Sequence, residues 1–136
     1  MSIFDEIKND LDLYKLDRQS VLDAEKRMKV KFPKDLFDFY INHGYGFVKN
    51  EEMAFNRIMD PGSCADIRLR EAPYTYDPDL EAYEEYEPYG ILFFEVIEGL
   101  YVSIGFEDGK IYYGDEVIAD SLMEFLKKIR NPNYFS

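Results

Sequence analysis

Between Glu71 and Gly109 the chain carries 11 acidic residues and no basic one, and the first half of that stretch, EAPYTYDPDLEAYEEYEPY, sets carboxylates among tyrosines and prolines. Carboxylates at this density can chelate a hard cation, work in pairs as acid and base in glycoside hydrolysis, or dock a basic partner. Asp77, Asp79 and Glu81 are the best metal candidates, because alternate acids ahead of a bend offer oxygen ligands to calcium. They do not make an EF-hand loop, whose sixth position would fall on Ala82 instead of glycine and whose twelfth on Pro88 instead of a bidentate Glu. A solvated acidic surface is the better reading, and no metal is expected. Paired carboxylates for hydrolysis can be drawn from the 28 acids in many ways, and none is singled out by the sequence.

Other chemistries find fewer supports. A Ser-His-Asp triad needs a base, and His43 is the single histidine; no G-x-S-x-G occurs, and YVSIG around Ser103 lacks the first glycine. Cys64 with His43 would make a thiolate pair, but a lone cysteine at the start of a buried helix behaves as a small hydrophobe. Gly44-Tyr45-Gly46 is followed by Phe-Val-Lys, so it is not G-x-G-x-x-G, and there is no Walker loop. No catalytic residue and no cofactor is expected, and the chain is not read as an enzyme.

Charge is unevenly spread. Residues 1–70 hold 12 basic and 13 acidic residues and residues 110–136 hold four of each, so nearly all of the net −12 sits on the middle segment. A near-neutral body carries an acidic, tyrosine-lined surface. A pI near 4.5 argues against direct nucleic-acid binding, which depends on Lys and Arg displacing counterions from phosphates. With 136 residues, 46% hydrophobic and 17% aromatic, the sequence suits one domain over residues 1–136. MSIFDEIKND has no apolar run, and nowhere do eighteen apolar residues follow one another, so no membrane association is expected and the location is read as cytoplasmic. Cys64 stands alone, which suits a reducing compartment.

The elements that must position these groups follow from spacing. Ser2 and Asp5 suit the cap of a first helix whose Phe4, Ile7, Leu11 and Tyr14 recur at helical intervals. Asp17 or Ser20 opens a second with Val21, Ala24 and Met28 in register, and Phe32-Pro33 breaks it before a third begins at Asp35. Leu36, Phe39, Tyr40 and His43 share a face of the third helix, and Gly44 suits its C-terminal cap. A short strand is expected around Phe55 to Met59, and Asp60-Pro61 caps a helix running through Leu69. ILFFEVI and LYVSIGFE read as strands, and the second alternates in a way that implies one wet face. Asp108-Gly109 signals a two-residue hairpin into KIYY. Ser121 to Glu124 forms a capping box for a last helix with Leu122, Phe125, Leu126 and Ile129 on one face, Lys127, Lys128 and Arg130 at its negative end, and Asn131-Pro132 as the stop. Residues 71–89 are long for a structureless connection. Their tyrosines supply enough amphipathic area to lie partly ordered across the sheet, and LEAYEEY allows a turn or two of helix. The expected fold is α+β, a mainly antiparallel sheet flanked by helices.

Three stretches together resemble the SUKH superfamily (Smi/Knr-like). AEKRMKVKFPKDLFDFYINHGYG, Ala24 to Gly46, resembles its x-P-x-D-L-x-x-F segment, with His43-Gly44 where Asn-Gly is usual. IMDPGSCADIR is similar to its strand-to-helix step, and EGLYVSIGFEDGKIYYGDEVIADSLMEFLKKI to its closing pattern. The resemblance spans roughly residues 3 to 130 and keeps the order of elements. It implies a non-enzymatic binding domain: an immunity protein against a polymorphic toxin, often a nuclease, or a regulatory scaffold. Family motifs transfer no binding residues, so these come from the acidic segment. A nuclease must present Lys and Arg to phosphates. Asp77, Asp79, Glu81, Glu84, Glu85 and Glu87 would steer such a basic partner, and Tyr76, Tyr83, Tyr86 and Tyr89 would anchor it.

Overall fold

A computed structural model describes residues 11–48, 56–75, 77–97 and 100–129. Among them, seven strands pair antiparallel in strict chain order: β1 Leu11–Tyr14, β2 Tyr45–Val48, β3 Arg57–Ile58, β4 Gly90–Ile97, β5 Leu100–Gly105, β6 Ile111–Tyr113 and β7 Glu116–Ala119. Four α-helices, α1 Arg18–Met28, α2 Lys34–His43, α3 Pro61–Leu69 and α4 Leu122–Ile129, and a 3-10 helix, Pro78–Tyr86, fill the connections. The expected α+β architecture, an antiparallel sheet with helices packed on it, is what forms.

Local chemistry sets the helix ends. Asp17 accepts a hydrogen bond from the Gln19 N–H at 3.1 Å and caps α1. Asp60 accepts from the Ser63 N–H at 3.1 Å, with Pro61 in the first turn of α3. The Ser121 hydroxyl accepts from the Glu124 N–H, and the Glu124 carboxylate reaches back to the Asp120 N–H, both at 3.1 Å. These bonds satisfy donors that a helix start leaves open. Gly44 ends α2 at φ +94°, where a Cβ would lie 1.8 Å from the Tyr14 carbonyl oxygen, so β1 can pass only a glycine here.

The inner face of the sheet carries the core. Ile91 pairs with Ile104 and Phe94 with Val102 across β4 and β5, and a bulge between Leu92 and Phe94 breaks the alternation. Phe93 and Phe94 therefore both meet Phe125 of α4 edge-on, with ring centroids 6.0 and 5.0 Å apart. Helix α3 packs on β4 and α1 on α3. Tyr40 of α2 is fully buried and donates its hydroxyl to the Met59 carbonyl at 2.6 Å.

Four expectations are corrected. Leu11 and Tyr14 are not the end of a first helix; they belong to β1, and the rest of that expected helix lies outside the described residues. Leu11-Asp12-Leu13-Tyr14 fits a two-residue repeat as well as a helical one, and pairing with β2 decides the matter. Asp108-Gly109 is not a two-residue hairpin. Gly105 donates to the Lys110 carbonyl at 2.9 Å, so the turn takes in residues 106–109, with Gly109 at φ +67°. β3 is only Arg57–Ile58, and Phe55 lies outside the described residues. The face of β5 expected to be wet is largely dry: Tyr101 and Ser103 are buried, and the acidic segment covers this face at Tyr101 through Tyr83.

Candidate functional site

The acidic segment owes its shape to a three-residue rhythm. Leu80, Tyr83 and Tyr86 recur at i, i+3 and i+6, which a helix of three residues per turn stacks on one face. Pro78 sits in the first turn of the 3-10 helix, and Asp77 accepts from the Asp79 N–H at 2.9 Å as its cap. Bonds of the i to i+3 kind run from the Leu80 N–H to the Asp77 carbonyl at 3.2 Å and from the Glu87 N–H to the Glu84 carbonyl at 3.3 Å. Leu80 and Tyr83 are buried against the outer face of the sheet. The Tyr83 ring meets Tyr101 edge-on at 5.7 Å, and its hydroxyl accepts from the Tyr101 N–H at 3.0 Å. Burial pushes both phenols above their usual pKa.

Two arginines that follow one another closely in chain order fasten the segment from beneath. Arg68 donates to the carbonyls of Glu87 and Gly90, both at 3.0 Å, and lies 5.2 Å over the Phe106 ring. Arg70 donates to the Leu80 carbonyl and forms an ion pair with Glu87. Burial lowers the pKa of Arg68. Further back, Arg27 pairs with Asp66 and Glu71, and Arg57 with Glu95 at 2.7 Å.

The sequence-derived residues therefore divide. Asp79, Glu81, Glu84 and Glu85 point outward and exposed, and none has an ion-pair partner among the described residues. Glu87 is half-buried and neutralised by Arg70, Asp77 is spent on the cap, and Tyr83 is an internal support. Tyr86 is half-buried beside Glu85, whose carboxylate holds its hydroxyl and raises its pKa. Tyr89 is 75% exposed. Tyr76 lies outside the described residues. Asp77, Asp79 and Glu81 do not converge, and among the described residues no three His, Cys, Asp or Glu side chains are placed to hold a metal. Cys64 is buried against the Tyr40 hydroxyl, and burial pushes its thiol up to about 12, far from a reactive thiolate.

Beyond the C-terminal end of the 3-10 helix the cover stops, and a cleft of about 750 Å³ opens over the same sheet face. Its floor lacks bulk because Gly90 faces Gly105 across β4 and β5, with Ser103 next along β5. Tyr86, Pro88 and Tyr89 line one part of it and Phe106, Asp108 and Tyr112 another. Glu85, Glu107, Asp108 and Asp115 line it as well, and no Lys or Arg does. Sequence patterning had pointed to Glu85, Tyr86 and Tyr89 but not to Ser103, Glu107, Asp108, Tyr112 or Asp115. The available signal was the pair of small residues, Ser103 and Gly105, on one face of a strand otherwise built of large side chains.

Asp108 organises the rim. It accepts from the Tyr112 hydroxyl at 2.5 Å and from the Lys110 N–H at 2.9 Å. The Tyr112 hydrogen bond, then the backbone one, holds its carboxyl below the usual carboxylate range and raises the Tyr112 phenol. A group depressed on folding stabilises fully above its unfolded pKa, near 3.9, and loses that contribution as pH falls through its folded value. Asp108→Asn is thus expected to melt below the parent at neutral pH, with the gap closing as pH falls through the carboxylate range. Melting temperature against pH checks this, and a gap that stays constant rules it out.

The family model described as SMI1 / KNR4 family (SUKH-1) matches residues 15–128. The chain is also 41% identical over 128 residues to a protein of Bacillus subtilis (strain 168) named "Immunity protein YxxD", covering 91% of this chain and 87% of that protein. The family match includes the 3-10 helix and every residue that lines the cleft. No helix among the described residues is long and apolar enough to cross a membrane.

Proposed function

The chain belongs to the SMI1/KNR4 family (SUKH-1), and from that premise we propose that it is an immunity protein that binds a cognate toxin and blocks it without performing chemistry. The name of the 41% identical Bacillus subtilis relative supports a toxin-neutralising role. The observation that carries the finer reading is the row of exposed acids, Asp79, Glu81, Glu84 and Glu85, fixed on a 3-10 helix by buried Leu80 and Tyr83. A fixed acidic row speeds encounter with a basic protein and rejects acidic ones. Tyr86 and Tyr89 add aromatic contact area at small entropic cost. Asp77 and Glu87 hold the ends of the row, and Tyr83 supports it from below.

The partner that suits this surface is a basic toxin domain, such as a nuclease that exposes Lys and Arg to bind phosphate. The same acids repel nucleic acid, so the protein would act on the toxin and not on its substrate. Action in the cytoplasm, as one domain over residues 1–136, completes the reading.

Co-expression with the product of the adjacent gene tests it. The affinity-tagged protein is expected to co-purify with that product, and cells to survive the product only when the tagged protein is present. Survival without it, together with no complex, removes that neighbour as the toxin and favours a regulatory interaction module.

A further inference from the structure

The strand register carries one outward face from the edge of the sheet to its middle. Asp12 of β1 lies opposite Phe47 of β2, Phe47 opposite Arg57 of β3, Arg57 opposite Glu95 of β4, and Glu95 opposite Tyr101 of β5. Directly opposed residues share a face, and Tyr101 is the residue that meets Tyr83 of the 3-10 helix. Phe47 therefore lies on the same side of the sheet as the acidic segment, three strand spacings from Tyr101, or about 14 Å. The segment covers the middle of this side: Tyr83 sits on β5, and Tyr74 lies beside the Arg57–Glu95 ion pair of β3 and β4. On β1 and β2 the side is open, with Tyr14 48% and Phe47 38% exposed.

These side chains adjoin one another. Tyr14 lies opposite Tyr45, with ring centroids 5.7 Å apart, and Phe47 follows Tyr45 by two residues on the same side of β2. Leu11 and Val48 turn the other way, into the core. Apolar side chains scattered singly over a surface are ordinary, whereas adjoining ones mark contact surfaces, and tyrosine and phenylalanine are enriched at interface centres.

Charge selects what covers the patch. A second copy would set net −12 against net −12, and a nucleic acid or an anionic bilayer would meet the same repulsion. A basic protein is attracted instead, by exposed Asp12 opposite Phe47 and by the row Asp79, Glu81, Glu84 and Glu85 on the same side of the sheet. Arg57, the cation opposite Phe47, is neutralised by Glu95 at 2.7 Å. An apolar centre with a charged rim is the usual anatomy of a protein interface.

We propose that the Tyr14, Tyr45 and Phe47 face of β1 and β2 is the apolar centre on which the basic partner seats, with the acidic row as its charged flank. The inference rests on the immunity reading for the existence of that partner, and it gives the two parts different work. The acids set the rate of encounter, and the aromatic side chains, dried on contact, set how long the complex lasts.

Stopped-flow binding of the co-purified product of the adjacent gene separates the two. Tyr14→Thr with Phe47→Thr keeps residues suited to strands at two exposed positions, so the fold should hold, which a melting curve checks. The double variant is expected to dissociate about tenfold faster or more, with association rate and salt slope within about twofold of the parent. Leu22→Ala alters an equally exposed apolar residue on α1 and should change neither rate. On the unaltered protein, adding the same product is expected to shift the amides of residues 12–14 and 45–47, a readout that needs no variant to fold. A folded double variant that dissociates as slowly as the parent, or a complex that leaves these amides unmoved, overturns the proposal while the immunity reading stands. A parent that sediments as a dimer, with a double variant that sediments as a monomer, would assign the face to a second copy and likewise overturn it. Failure of the parent itself to capture the product or protect cells removes the immunity reading, and this docking falls with it.

Discussion

Leu80→Ala is expected to lower the stability of the protein by about 3 kcal/mol, within the range for removing a fully buried leucine. Leu80 has no solvent exposure and is one of two fully seated side chains that fix the 3-10 helix to the sheet. The loss should be uneven. Tyr83 would lose its companion on the same helical row, and the Tyr101 N–H depends on the Tyr83 hydroxyl as acceptor. Hydrogen exchange is therefore expected to speed up at Tyr101 and across residues 78–89 before it does in β6, β7 or α4. Urea unfolding measures the total, and exchange locates it. A loss under about 1 kcal/mol, or exchange that rises evenly through the sheet, would show that the segment is not held by this anchor. Tyr83→Phe gives a finer control, because it keeps the ring and strands the Tyr101 N–H at a cost of about 1–3 kcal/mol.

The second large effect is on association. Glu81, Glu84 and Glu85 are exposed and take no part in the anchor, so replacing all three with Gln should change stability by no more than about 0.5 kcal/mol per site. Association with a basic partner should slow by about tenfold to a hundredfold at low salt, since steering separates charged from neutral encounters by several decades. The remaining rate should depend less on salt, because fewer charges are left to screen. Stopped-flow binding at several ionic strengths reads both. Unchanged affinity and an unchanged salt slope would remove these carboxylates from the interface. Glu87→Gln serves as contrast: its half-buried ion pair with Arg70 makes it a stability variant, with little effect on the salt slope.

Much of the fold was readable because its signals are local. Asp17, Asp60 and Ser121 announced the starts of α1, α3 and α4 by their side chains alone, and the apolar spacing of α4 named the residues that became its core face. Strand pairing was readable only in part. Leu11 to Tyr14 has no local preference that outweighs an available partner strand, and that partner, β2, lies beyond two intervening helices. The hairpin at Asp108-Gly109 was misjudged in length because the Asp108 carboxylate holds Tyr112 and Lys110, contacts that no dipeptide reports. The alternation of β5 alone implies a wet outer face. Its dryness depends on a segment earlier in the chain, whose three-residue rhythm was visible but whose landing place was not. The cleft escaped for the same reason: it is the part of the sheet that this cover fails to reach.

The division of labour within Pro78–Tyr86 has a consequence for how such a protein changes over generations. One row of side chains carries the attachment to the fold, and the other two rows face outward and carry almost none. Substitutions at positions 79, 81, 82, 84 and 85 can therefore accumulate with small effect on folding while the outward surface is rewritten. A lineage built this way can follow a drifting adversary, or trade it for a new one, without first acquiring a new scaffold.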